Sequence, residues 1–170
     1  MKHSEHLILV TGATGAQGGA ATRALLAGYA MPKARGMFPL LKQGRIVSAL
    51  KPDTRLQLIA ADDVGVFACA AFADPARFHG QNIDMAAEAL TQDEVAAVLN
   101  RELGKSVTAQ SVSPDEAVAT GMFKGWVRTQ EWINEVGYRA DIDALKRWGI
   151  PLTPFTDWVK RHTADIVIEG

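Results

Sequence analysis

Several things are scarce in this sequence, and each scarcity excludes something. Cys69 is the only cysteine in 170 residues, so no disulfide can form within the chain. It sits in "VFACAAFA" among small apolar residues, with no basic neighbour in sequence to stabilise a thiolate, which suits a buried packing thiol rather than a nucleophile. Charge of one sign is equally lacking. Eighteen Lys and Arg oppose nineteen Asp and Glu, giving a net charge of −1. That balance argues against a broad electrostatic footprint for nucleic acid or anionic membrane, while leaving room for a local basic pocket. No apolar run approaches the roughly 20 residues of a bilayer span. The start, "MKHSEHLILVTG", carries an apolar segment shorter than the about 7–15 residues of a signal peptide. The expectation is a cytoplasmic protein without membrane contact.

What is present is ordinary globular material. Hydrophobic residues make up 48% and charged residues 22%, enough to bury a core within one domain, residues 1–170. Leu7 to Val10 is a continuous apolar run suited to a strand covered on both faces. From Gln17 the pattern turns helical, with Ala20, Ala21, Ala24 and Leu25 on one face and Gly28 as a stop. Residues 29–55 are less regular, punctuated by Pro32 and Pro39, with a short helix expected to end near Lys42. Arg55–Ala60 alternates and reads as a strand. Asp62 or Asp63 then caps a helix that turns Val64, Phe67, Ala71 and Phe72 inward, with Pro75 just past its end.

"GQNIDMA", centred on Asn82 to Met85, is expected to be a second strand in this half. Thr91 and Glu94 form a capping box for a helix that ends at Gly104. "SVTAQSV" reads as a further short strand. Ser113, Pro114 and Glu116 then mark another helix start. From Met122 to His162 the chain is helix-rich and holds all four tryptophans, Trp126, Trp132, Trp148 and Trp158. It closes on "ADIVIEG", a weak strand or tail.

The most informative stretch is Gly12-Ala-Thr-Gly15-Ala-Gln-Gly18, a G-x-x-G-x-x-G spacing between the first strand and the first helix. Gly12 lets the chain turn out of the strand, Gly15 clears space for backbone to approach a pyrophosphate, and Gly18 allows close packing of helix on strand. Free N–H groups and the positive end of the helix dipole favour phosphate there. Thr14 and Gln17 add side chains that can donate hydrogen bonds, and Ala16 lies between them. Strand, motif and amphipathic helix come in the order that a dinucleotide site requires.

"ILVTGATGAQGGAATRALLAG" resembles the first strand and helix of the NmrA-like family, atypical members of the short-chain dehydrogenase/reductase superfamily. The second half resembles the same family independently. "RLQLIAADDVGVFACAAF" matches an Asp–Val/Ile–Gly element that begins a helix, and "ALTQDE" matches the Leu-Thr-x-x-Glu helix of the substrate-side region. "WINEVGYRADIDALKRWGIPLTPFTDWV" is similar to the family's C-terminal end.

Between Gly28 and Met31 the family pattern places the second to sixth strands and their helices, so the sequence reads as an NmrA-like chain with an internal deletion. Residues 1–30 are then the glycine-rich βα unit and residues 31–170 the C-terminal part. With the missing segments go the strands that flank a nicotinamide, the basic residue that contacts an adenosine 2′-phosphate, and a lysine-bearing helix.

The resemblance implies an α/β fold with a reduced Rossmann-like parallel sheet and an α-rich C-terminal half. It implies NADP(H) or NAD(H) as cofactor, held by Gly12, Thr14, Gly15, Ala16, Gln17 and Gly18. It further implies an oxidoreductase-related role toward a quinone or similar small acceptor. Two alternatives stand beside that role: a non-catalytic redox sensor, or a remnant without nucleotide function. Loss of central strands would expose sheet edges and apolar helix faces, so a homo-oligomer is expected.

No catalytic residue emerges. Tyr29 and Lys33 have the Tyr-x-x-x-Lys spacing, but Pro32 between them opposes the helix that would stack them. Tyr138, the other tyrosine, has Ile142 four residues on. Lys33 and Arg35 read as solvated loop charges. His3, Glu5 and His6 precede the first strand, and His79 and His162 are isolated, so no metal constellation is apparent. The tryptophans and Phe123 suit core or the wall of a pocket.

Overall fold

The computed structural model describes residues 38–169. These fall in two units, residues 61–81 and residues 38–60 with 82–169.

In the first unit, Ala61–Ala73 forms α1 and Pro75–Phe78 forms the single turn α2. Neither Asp62 nor Asp63, one of which the sequence offers as the cap, precedes the helix; both lie inside the first turn of α1, where negative charge suits the positive helix end. Phe67 is buried as expected, whereas Phe72 is 48% exposed. Asp74 caps α2, its carboxylate accepting from the Arg77 N–H at 3.2 Å, with Pro75 at the first helical position.

The larger unit is α/β. A short 3₁₀ turn, Leu41–Gln43, ends at Gly44 and leads into β1, Arg45–Ser48. Strand β4, Thr108–Ser111, pairs with it in parallel, Ile46 opposite Ala109. Gly44 is obligatory here. Its φ is 71°, and a Cβ would stand 2.5 Å from the Ser106 carbonyl oxygen.

The expectation assigned no strand to Arg45–Ser48. Its sequence has no polar–apolar alternation because Ile46, Val47 and Ser48 are all buried, as befits a parallel strand covered on both faces. A second ladder is antiparallel, β2 (Leu56–Leu58) against β3 (Glu88–Leu90), with Leu56 opposite Leu90. The strand expected at Asn82–Met85 is therefore displaced to Glu88–Leu90. The partner sets that position, since Ala87 N–H donates to the Leu58 carbonyl at 2.7 Å.

The helices start and stop where their local chemistry directs. α3, Gln92–Leu103, opens on a complete Thr91/Glu94 capping box and ends at Gly104 in the left-handed region, φ 62°. α4, Pro114–Ala119, opens on the Ser113/Glu116 box. α5 (Lys124–Val136), α6 (Ile142–Lys146) and α7 (Phe155–Arg161) complete the α-rich C-terminal half.

Ile46 packs with Val98 and Leu99 of α3, Val107, Val159 of α7 and Ile168. A second cluster joins Ala49, Ala117, Met122 and Val127, and a third joins Leu50, Leu56 and Ile133. Of the two readings of the C-terminal stretch, residues 164–169 take the tail rather than the strand. It is a packed tail whose Ile168 is buried and whose Glu169 N–H donates to the Lys42 carbonyl.

Candidate functional site

Helix α5 and the β1–β2 loop create an open cleft in the larger unit. The helix buries Val127, Gln130 and Ile133, spaced three apart along one face toward β1. Gln130, fully buried, accepts the Ala49 N–H on its Oε1 at 2.8 Å. One turn on, Asn134 gathers three groups: Lys51 N–H at 2.9 Å and Thr54 Oγ1 at 2.7 Å on its Oδ1, while its Nδ2 donates to the Ala49 carbonyl at 2.8 Å. Two amides on one helix thus fix the chain where it leaves β1 and turns.

The wall continues into β2. Gln57 clamps the Ala140 backbone both ways, donating at 2.8 Å and accepting at 3.2 Å. Arg55 forms a two-pronged ion pair with Glu94, 2.9 and 2.7 Å, and donates to the Ala89 carbonyl at 2.7 Å. Glu94 is held below the usual carboxylate range chiefly by the Arg55 guanidinium, and next by the Thr91 N–H of its own capping box.

The space between loop and helix end has a volume of about 520 Å³ and is open to solvent. Lys51, Asp53 and Arg55 line one side, Asn134, Glu135 and Tyr138 the other. Partial burial pushes the Tyr138 phenol up, which keeps it protonated and able to donate.

The structure does not bring this cleft together from residues that sequence spacing could nominate. Gly12, Thr14, Gly15, Ala16, Gln17 and Gly18 lie outside the described residues, as do His3, Glu5, His6, Tyr29, Lys33 and Arg35. Cys69 is half-buried on α1 and His79 is exposed after α2. His162 stacks on Trp158, centroids 4.5 Å apart, with its Nδ1 2.7 Å from the Trp158 carbonyl. Phe123 is 71% exposed, and Trp132 is 54% exposed, whereas Trp126 and Trp158 pack on the core. Among the described residues no group of three His, Cys, Asp or Glu converges as a metal site, and no helix is long and apolar enough to cross a membrane. Tyr138 was set aside for want of a lysine four residues on; the fold instead sets it in a cleft with Lys51, 87 positions away in the numbering (138 − 51).

The sequence profile of the NmrA-like family matches residues 24–150, beginning downstream of the glycine turn. No curated protein matches the chain. Among solved structures, triphenylmethane reductase from Citrobacter sp. is similar at 21% identity and a TM-score of 0.56, over 74% of this chain and 47% of its own. The same reductase complexed with NADP(H) is similar at 19% identity and a TM-score of 0.56, over 74% and 48%. NmrA, a negative transcriptional regulator in complex with NAD, is similar at 18% identity and a TM-score of 0.53, over 71% and 43%. The chain therefore spans less than half the length of these structures, and the likeness is one of fold.

Proposed function

The chain belongs to the NmrA-like family, and from that premise we propose that it binds NADP(H) or NAD(H) and is related to reductases of a small acceptor such as a quinone. The observation that carries this reading is the G-x-x-G-x-x-G spacing, placed between an apolar run and a stretch with helical, one-faced apolar periodicity in the sequence. Gly12, Thr14, Gly15, Ala16, Gln17 and Gly18 would hold the pyrophosphate through backbone N–H groups and the helix dipole. The dinucleotide, when bound, supplies hydride, and the protein's share is orientation. The NADP(H) complex of the triphenylmethane reductase and the NAD complex of NmrA support the cofactor class. In this reading residues 1–170 act as one domain of a cytoplasmic homo-oligomer.

A second reading is a redox sensor that binds the dinucleotide without turnover; the regulator NmrA among its structural relatives favours it. One titration tests what both share. NADPH should quench tryptophan fluorescence saturably, and Gly15→Val should abolish the quenching. Neither quenching nor calorimetric heat at millimolar NADPH would overturn the proposal. Loss of NADPH absorbance with a quinone panel then separates reductase from sensor.

A further inference from the structure

The cleft at the end of α5 holds more charge than its walls use. Thr54, Arg55, Gln57 and Asn134 are committed to one another or to backbone, and the Arg55 charge is balanced by Glu94. Lys51, Asp53, Glu135 and Tyr138 also line the space, and among the described residues their side chains enter no hydrogen bond or ion pair. Two carboxylates thus face one ammonium. The helix adds to the negative side: its last turn, with carbonyls directed to this end, contains no basic residue. With Arg55 balanced by Glu94, the uncompensated side-chain charge of the lining, Asp53 and Glu135 against Lys51, is one negative.

The apolar contribution is aromatic. Tyr138 lines the space and is 40% exposed, so its ring is accessible to a ligand. Trp132 and Val136, one helical turn apart, extend an exposed apolar ledge along α5 to the same end. The volume, about 520 Å³, falls within the range of small-molecule sites. The hydrogen-bonded walls are pre-formed, so little ordering opposes occupation.

We infer that this cleft is a binding site for a small aromatic cation, an amine or quaternary ammonium carried on a planar ring system. The cationic group sits against Asp53, Glu135 and the carbonyl end of α5, and the ring lies on Tyr138. This goes beyond dinucleotide binding and does not depend on it.

Calorimetry on the full chain, without dinucleotide, tests it with three matched probes: 2-naphthylmethylamine, 2-naphthalenemethanol and 2-naphthoate. The amine should bind about tenfold more tightly than the alcohol, with naphthoate weakest. Added salt should narrow that order. Glu135→Gln and Asp53→Asn, both at exposed positions, should each weaken the amine about two- to fivefold and leave the alcohol unchanged. Tyr138→Leu should weaken amine and alcohol alike. Circular dichroism establishes that each variant is folded. Equal binding of amine and alcohol, tighter binding of naphthoate, or no binding of any probe would overturn the inference. Because NADPH is titrated separately, failure here leaves the dinucleotide proposal standing, and the reverse.

Discussion

The two sides of β1 are held by different physics. Toward α3 and α7 the contacts are apolar: Ile46, Leu99, Val107, Val159 and Ile168 exclude water from one another. Toward α5 the strand's exit is held by side-chain amides, Gln130 on Ala49 and Asn134 on Ala49, Lys51 and Thr54. Burial is non-directional and tolerates small adjustments, so it stabilises without dictating where one backbone group points. Amide hydrogen bonds contribute less net energy but set orientation. The apolar side therefore accounts for most of the stability and the amide side shapes the cleft. Gln130 illustrates the cost of the second strategy: its Oε1 is satisfied, but its Nε2 is buried with no hydrogen-bond partner among the described residues.

The largest expected effect lies on the apolar side. Leu99 is 4% exposed and central to its cluster, and Leu99→Ala should cost about 2–5 kcal/mol of unfolding free energy. Denaturant unfolding measures this. Where the variant remains folded, affinity of the cleft for an aromatic amine should be unchanged. A loss under 1 kcal/mol, or a cleft affinity that falls in proportion to stability, would break the division between the two sides.

The amide side should behave oppositely. Asn134→Ala removes three hydrogen bonds, an expected loss of about 1–3 kcal/mol. Its distinguishing effect is local: the Lys51 amide should exchange with solvent faster than global unfolding allows, and the cleft should lose ligand affinity. Asn134→Asp keeps the acceptor for Lys51 and Thr54 and loses the donor to Ala49, so it should fall between wild type and alanine. If the aspartate variant were as damaged as the alanine variant, the Ala49 bond rather than the loop anchor would be the one that matters.

This contrast also explains what the sequence let one read. The capping boxes at Thr91/Glu94 and Ser113/Glu116 are local, each within four consecutive residues, and both were legible with their helices. So was the α/β character with an α-rich C-terminal half. Strands depend on partners elsewhere. β1 pairs with residues 63 positions away, Arg45 with Thr108, and its all-buried pattern lacks the alternation that announces a strand. β3 went to Glu88–Leu90, just past the expected stretch centred on Asn82 to Met85, because β2 sets the register. The cleft was the least legible feature, since its amide bonds span sequence separations of 80 to 85 and no spacing rule connects Lys51 to Asn134 or Tyr138.

The smallest expected effect tests the residue that joins the two sides. Glu94 completes the capping box of α3, whose other face packs the apolar cluster, and it also holds Arg55 in the cleft wall. Its pKa is lowered, first by Arg55 and then by the Thr91 N–H, so the folded state favours the carboxylate. The stabilisation is therefore fully present above the ordinary glutamate value and is lost as pH falls through the lowered folded value. Glu94→Gln retains an oxygen for the Thr91 N–H but removes the charge facing Arg55. It should be slightly less stable than wild type at pH 7, and the gap should close as pH drops through the acid range below the ordinary glutamate value. Both partners are largely solvated, side chains 53% and 43% exposed, so molar salt should shrink the same gap at pH 7. Chemical denaturation at pH 7 and pH 3, with and without salt, gives the comparison. A gap that persists undiminished at pH 3 would mean that the glutamine disturbs the cap itself, and that Arg55 contributes nothing through charge.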